Sequence, residues 1–242
     1  MDIKALFSKK EKTPVCSAVI VAAGSSQRMG TDKLMITLGA DPVLVKSVRA
    51  FQYCPLVDEI IIVTRFDRIE EIAELCVKHG MSKVKQVISG GATRMESALA
   101  GVSAVKKGAE LIAIHDGARP LVSQSVIENA IYAAQKYYSA VPAIKCVDTL
   151  KQVDENGIIV AAVDRNVTVR VQTPQVFNAD MIKGALSKAV KDNLPLTDDC
   201  SAMEYMGIKT HVVEGEEDNI KITTPDDIIH AEAIIRKRGN LL

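Results

Sequence analysis

VIVAAGSSQRMGTDKL, Val19 to Leu34, is the stretch that decides how this chain is read. An apolar run stops at Ala22, Ala23 and Gly24, passes through small polar residues, and then delivers Arg28 and Lys33. Nearly continuous β-branched runs of this kind mark strands buried on both faces, as in parallel sheets. The turn that follows such a strand is where open α/β sheets hold phosphate-bearing ligands.

Outward from this stretch the same rhythm repeats. SAVIVAA, EIIIVT, VKQVIS, LIAIH and SAVPAI read as further buried strands. Between them, residues 42–53, 67–79, 92–107 and 123–138 carry apolar residues at helical spacing. Strand and helix therefore alternate, which predicts a mostly parallel, doubly wound α/β sheet with helices on both faces. The rhythm breaks at TLKQVDENGIIVAAV, where Asp154-Glu155-Asn156-Gly157 is a turn between two short strand-like runs. A β-hairpin arm is expected over about 147–166, either as an oligomer contact or packed on its own domain, since a lone hairpin is marginal in water. Helices near 180–190 and 198–206, a strand THVVE and a closing helix from Pro225 to Arg238 complete the pattern. Pro225 suits the first helical position, and Asp226 and Asp227 suit the positive end of the helix dipole. A tail is expected over residues 1–13 and one domain over 14–238.

Composition excludes several classes. With 48% hydrophobic and 25% charged residues the chain is globular. Thirty basic residues balance thirty acidic ones, so no global field favours nucleic acid. Five cysteines stand at scattered positions with no metal-ligand spacing, as expected of reduced thiols in a cytoplasmic protein. No apolar run reaches the length of a membrane span, and no membrane partner is expected.

The turn at Gly24 is neither GxGxxG nor a Walker loop, because Gly30 is followed by Thr31-Asp32-Lys33. Its backbone amides could line a polyphosphate, with Arg28 as a bidentate contact and Lys33 as a point charge. The alternative is a plain connection with two solvated cations. Two other strand ends favour a site. ISGGATRMES offers Gly90 and Gly91, with Arg94 and Ser97 in the next helix; IHDGARP offers Asp116 and Arg119. An acid beside phosphate-seeking cations suits a Mg²⁺ or ribose-hydroxyl ligand, and otherwise a turn cap.

The order AAGSSQRMG, DKL, HDGARP, DTLK, VDRN, QTPQVF, TDDCSAMEYMG and VEGEEDNIKITTPDD resembles the 2-C-methyl-D-erythritol 4-phosphate cytidylyltransferase family over about residues 17–232. The resemblance implies a Rossmann-like sheet of the nucleotide-diphospho-sugar transferase type, CTP and a sugar-alcohol phosphate as substrates, Mg²⁺, and a homodimer through the arm. It implies catalytic roles for Arg28, Lys33, Arg165 and Lys221. Ala22, Ala23, Gly24, Gly91, Ser97 and Asp116 would meet CTP, with Arg94 supporting that loop and Asp116 also meeting the metal. Arg119, Thr149, Arg165, Thr197 and Lys221 would hold the sugar phosphate, with Asp218 ordering Lys221. Asp32 stands where many relatives have Pro, and Ala92 where an acid is frequent.

A phosphate monoester has a second pKa of about 6, so the acceptor is already a dianionic nucleophile and no protein base is required. His115 is accordingly expected to pack or to position a loop, and His79, His211 and His230 to be surface or structural. Ribitol 5-phosphate cytidylyltransferase, which shares QTPQ, is the nearest rival. A non-catalytic nucleotide-binding protein is the rival of a different class.

Overall fold

The computed structural model describes residues 14–24 and 32–239. The expected tail at 1–13 and the loop residue Arg28 lie outside the described residues.

The first strand, β1 (Cys16–Val21), lies at the middle of the sheet. Two two-residue strands, β2 (Thr37–Leu38) and β3 (Asp41–Pro42), form a small ribbon ahead of α1 (Val43–Gln52). Then come β4 (Val57–Thr64), α2 (Ile69–Lys78), β5 (Val84–Ser89), α3 (Arg94–Ala104), β6 (Leu111–Asp116), α4 (Gln124–Tyr137) and β7 (Ser139–Lys145). The arm is β8 (Lys151–Val153) with β9 (Ile159–Ala162). It is followed by β10 (Val169–Val171), β11 (Gln175–Asn178), α5 (Ala179–Lys191), α6 (Cys200–Tyr205), β12 (His211–Glu214) and α7 (Pro225–Lys237).

The main sheet has eight strands in the order β10-β7-β11-β6-β1-β4-β5, with β12 joined to β7. Strand β1 runs parallel to both β4 and β6, and β4 parallel to β5. The chain leaves β1 toward β4 and β5, then returns to its other side as β6. That reversal is the switch point at which doubly wound sheets open a crevice beyond their carboxyl ends.

Successive side chains of the central strands feed two apolar layers, as the period of two requires. Ala18, Ile20, Ile60 and Ile62 join one core with α1, α4 and α7; Val19, Ile61 and Val63 join the other with α3 and α5. All seven strand residues are fully buried. Helix α3 lies close to the sheet because Gly101 has no side chain: a Cβ there would stand 2.3 Å from Val19 Cγ1.

Two expectations need correction. Strand β5 is not buried on both faces, since Lys85 and Gln86 are exposed; it forms the edge of the sheet, with β4 as its partner. The segment after the arm, expected only as a motif, supplies β10 and β11, both antiparallel to β7, and β11 inserts beside β6. Runs of three and four residues separated by Pro174 are too short to declare themselves by periodicity.

The expected hairpin forms a separate two-stranded sheet. Asp154 Oδ1 accepts from the amides of Asn156 and Ile158, and Gly157 takes the positive φ of +79° that the turn needs. Ile158, Ile159 and Val160 all stand exposed on it. At α7, Asp227 accepts from the Thr224 amide at 2.7 Å and Pro225 occupies the first turn, so the expected helix start is present. Among the described residues no helix is long and apolar enough to cross a membrane.

Candidate active site

A cavity of about 360 Å³ opens where β1, β5 and β6 end. Ala22, Ala23 and Gly24 line it from β1, Gly91, Arg94 and Ser97 from the β5–α3 turn, and Asp116 from β6. Lys33 and Lys221 reach the same cavity. These three strand ends are pinned together with the end of β4: the Ala22 amide donates to Val63 O, Gly90 to Thr64 O and Gly117 to Val21 O, at 2.7, 2.7 and 2.9 Å.

The paired glycines have a local cause. A Cβ on Gly90 would stand 2.5 Å from Ser97 Oγ, and one on Gly91 would stand 2.4 Å from Glu96 Cβ. They let the turn fold back tightly against α3. Ser97 Oγ then accepts from the Gly91 amide at 3.2 Å and donates to Thr93 O at 2.9 Å, which fixes the cavity wall.

Charge at the site converges on Asp116, which is 8% exposed. Lys221 Nζ lies 2.8 Å from its Oδ2, Arg94 Nη2 3.3 Å from its Oδ1, and Arg119 Nε 3.8 Å from Oδ2. Burial alone would raise the carboxyl's pKa, but Arg94, Lys221 and Arg119 outweigh it and hold the group well below the usual carboxylate range. Arg94 is itself shared: Nη1 and Nη2 reach the two oxygens of Asp199 at 2.9 and 2.8 Å. Burial opposes the guanidinium charge, yet Asp199 and Asp116 together raise its pKa above the ordinary arginine value. Arg119 Nη1 donates to Asn219 O at 2.7 Å, while its buried Nε makes no hydrogen bond.

His115 explains how Asp116 and Arg119 are held. The ring is fully buried, with Nδ1 3.0 Å from Thr173 Oγ1 and Nε2 3.1 Å from Arg119 O. Thr173 Oγ1 accepts from the Asp116 amide at 3.1 Å, so its own proton is assigned to Nδ1 and the ring proton to Nε2. This tautomer is neutral, and burial pushes the imidazole pKa down to about 4. The sequence predicts that His115 packs or positions a loop; its ring does both, since its centroid also lies 4.9 Å from that of Phe51.

Not every expected residue gathers here. Thr149, Arg165 and Thr197 are exposed, and none of them lines the cavity; Arg119 does not line it either, but stands behind Asp116. Arg165 Nη1 donates to Val147 O at 3.0 Å, at the base of the arm. Asp218 pairs with Arg238 at 3.3 Å, whereas the carboxylate beside Lys221 is Asp116. Asp32, at the position where relatives differ, accepts from the Leu34 amide at 3.1 Å and pairs with Arg68. Its acid therefore shapes the turn around Lys33. Sequence reading missed Asp199, Thr173 and Asn219 as individual site residues. They lie within TDDCSA, QTPQ and DNIKIT, motifs that signal a family but say nothing by themselves of which side chain is buried.

Among the described residues no group of three or more His, Cys, Asp or Glu side chains could hold a metal. Among the described residues Asp116 is the one carboxylate lining the cavity. Mg²⁺ is typically bound by one or two carboxylates together with substrate phosphates, so this donor set fits a metal that arrives with a nucleotide.

The family model described as 2-C-methyl-D-erythritol 4-phosphate cytidylyltransferase (IspD) matches residues 16–237. A protein of that name from Caldanaerobacter subterraneus subsp. tengcongensis is 42% identical over 91% of this chain and 99% of its own length. One of the same name from Symbiobacterium thermophilum is 41% identical over 92% of this chain and 94% of its own. The crystal structure of 4-diphosphocytidyl-2C-methyl-D-erythritol synthase from Anaerococcus prevotii matches with a TM-score of 0.83 and 32% identity, covering 93% of this chain and 97% of that one.

Proposed function

The chain belongs to the 2-C-methyl-D-erythritol 4-phosphate cytidylyltransferase family, and from that premise we propose that it transfers CMP from CTP to 2-C-methyl-D-erythritol 4-phosphate. The products are 4-diphosphocytidyl-2-C-methyl-D-erythritol and pyrophosphate, in non-mevalonate isoprenoid biosynthesis. The observation that carries this reading is the single cavity shared by Lys33, Arg94, Asp116, Lys221 and the Ala22–Gly24 turn.

In this reading an oxygen of the acceptor phosphate attacks the α-phosphorus of CTP in line. A new P–O bond forms, and the bond to the bridging oxygen breaks with its electron pair leaving on pyrophosphate. The obstacle is repulsion between a dianion and a triphosphate. Preorganised positive charge lowers it, and losing one such group costs a factor of about 10²–10³. Lys33 meets the CTP phosphates, and Arg28, outside the described residues, is assigned the same role by the family resemblance. Lys221, which lines the cavity, and Arg119, whose Nε stands 3.8 Å from Asp116 at its edge, are assigned to the acceptor phosphate. Mg²⁺ bound with CTP at Asp116 would neutralise phosphate charge. The Ala22, Ala23, Gly24 and Gly91 backbone suits the nucleoside, because small residues let it approach closely.

Arg165 and Thr149 belong to the arm and Thr197 to the loop before α6. A homodimer through the arm, on which Ile158, Ile159 and Val160 are all exposed, is the arrangement that would give the arm residues a phosphate to meet. A reducing cytoplasm suits five buried, unpaired cysteines. The test is pyrophosphate release from CTP with each acceptor in turn. Turnover with methylerythritol phosphate well above ribitol 5-phosphate supports the reading; the reverse preference, or CTP binding without release, rejects it. Lys33→Ala is expected to nearly abolish turnover in the same assay while leaving the fold intact.

A further inference from the structure

Two loops carry the residues assigned to the acceptor phosphate. Residues 117–123 join β6 to α4 and include Arg119; residues 215–224 join β12 to α7 and include Lys221. They touch directly, through the Ile222 amide to Ala118 O at 2.8 Å and Arg119 Nη1 to Asn219 O at 2.7 Å. Both are loops, so something must hold their relative position.

Arg238, immediately after α7, is bound to both. Its Nη1 donates to Leu121 O at 3.0 Å, two residues from Arg119. Its Nε and Nη2 lie 3.3 Å from Asp218 Oδ2, three residues from Lys221. Nη2 also stands 3.5 Å from Glu216 Oε2. Glu216 is anchored in turn by Ser123 Oγ at 2.6 Å and Ser125 Oγ at 3.1 Å. The Arg238 side chain is only 21% exposed, and neither it nor Asp218 lines the active-site cavity.

We propose that Arg238 is a positioning residue that straps the 117–123 and 215–224 loops together and so sets the spacing of Arg119 and Lys221 for the acceptor phosphate. The inference rests on the reading above that these two cations meet that phosphate. The planar fork is what the geometry uses: one edge grips a carbonyl of the first loop while the other grips carboxylates of the second. A lysine ammonium keeps the charge but is a single point, and cannot span both loops in the same way.

The experiment compares Arg238→Ala, Arg238→Lys and, as a control on the same helix end, the exposed Arg236→Ala. Three quantities are read: hydrogen exchange of the Ile222 and Asn219 amides, KM for each substrate, and kcat. Arg238→Ala is expected to speed exchange at both amides and to raise KM for the acceptor about tenfold, the scale of one lost charge-assisted hydrogen bond, with KM for CTP nearly unchanged. Arg238→Lys should recover part of the acceptor affinity, and Arg236→Ala should match wild type. Unchanged exchange, or KM rising equally for both substrates, overturns the strap. Lys221→Ala measured alongside separates the two claims. Weakened acceptor use in Lys221→Ala with wild-type KM in Arg238→Ala rejects the strap alone. Wild-type KM in both rejects the assignment of the cations on which the strap depends.

Discussion

Asp116 has three cationic neighbours and Arg94 divides itself between two acids, so the acid that relieves Asp116 is Asp199. Asp199→Asn removes a buried charge that balances Arg94, whose side chain keeps 27% exposure on the cavity, so the cost is expected below the about 3–5 kcal/mol typical of a fully buried pair. We expect a lower melting temperature and reduced kcat, because Arg94 is then drawn wholly onto Asp116; a kcat and melting point equal to wild type would refute the role. His115 gives a prediction in pH. Its folded pKa of about 4 lies below the ordinary 6.5, so the unfolded chain binds the extra proton first as pH falls. Its contribution is complete above about pH 6.5 and is lost progressively down to about pH 4, amounting to about 3 kcal/mol. Asp116, also depressed, contributes its loss only below the ordinary carboxylate pKa, so the two windows separate. Denaturant unfolding from pH 4 to 7 should show this slope in wild type and its absence in His115→Asn.

At the scale of elements, the β5–α3 turn and α3 itself depend on missing side chains. Gly101→Ala would gain helix propensity, about 1 kcal/mol, but the new Cβ falls 2.3 Å from Val19 Cγ1 and 2.7 Å from Val63 Cγ2. Overpacking of this kind costs about 1–3 kcal/mol, so a net loss of stability is expected in chemical denaturation, and a gain would show that α3 can shift. Gly101 also illustrates what sequence could not convey. The apolar spacing that announces α3 is a property of one segment, whereas the reason for its glycine is a distance to two strands. The same division explains the rest. Strands β1, β4 and β6 were legible because burial on both faces writes a continuous apolar run. Strands β10 and β11 were not, because their pairing with β7 and β6 is tertiary and their runs are too short to show a period. The cavity was legible at Gly24, Gly91 and Asp116, which stand at strand ends. Asp199 was not, since only the fold brings it to Arg94 across 105 positions of sequence.

For the molecule as a whole, the arm and the cation cluster are separate consequences of one topology. The arm exposes Val153, Ile158, Ile159 and Val160, each at about 60% of its surface, on a hairpin that has no core of its own. If the chain forms the homodimer proposed above, charged substitutions at Ile159 and Val160 are expected to convert it to monomer in light scattering and to lower activity with it; a mass unchanged by the substitutions would reject the arm as the contact. In the proposed reaction, positive charge around Asp116 lets two mutually repelling phosphates react. The decisive measurement is the rate of pyrophosphate release from CTP and 2-C-methyl-D-erythritol 4-phosphate by wild type and Lys221→Ala, with folding verified for both. A wild-type rate reduced about 10²–10³-fold in the variant is the expected result, and a variant that turns over as fast as wild type would contradict the claim.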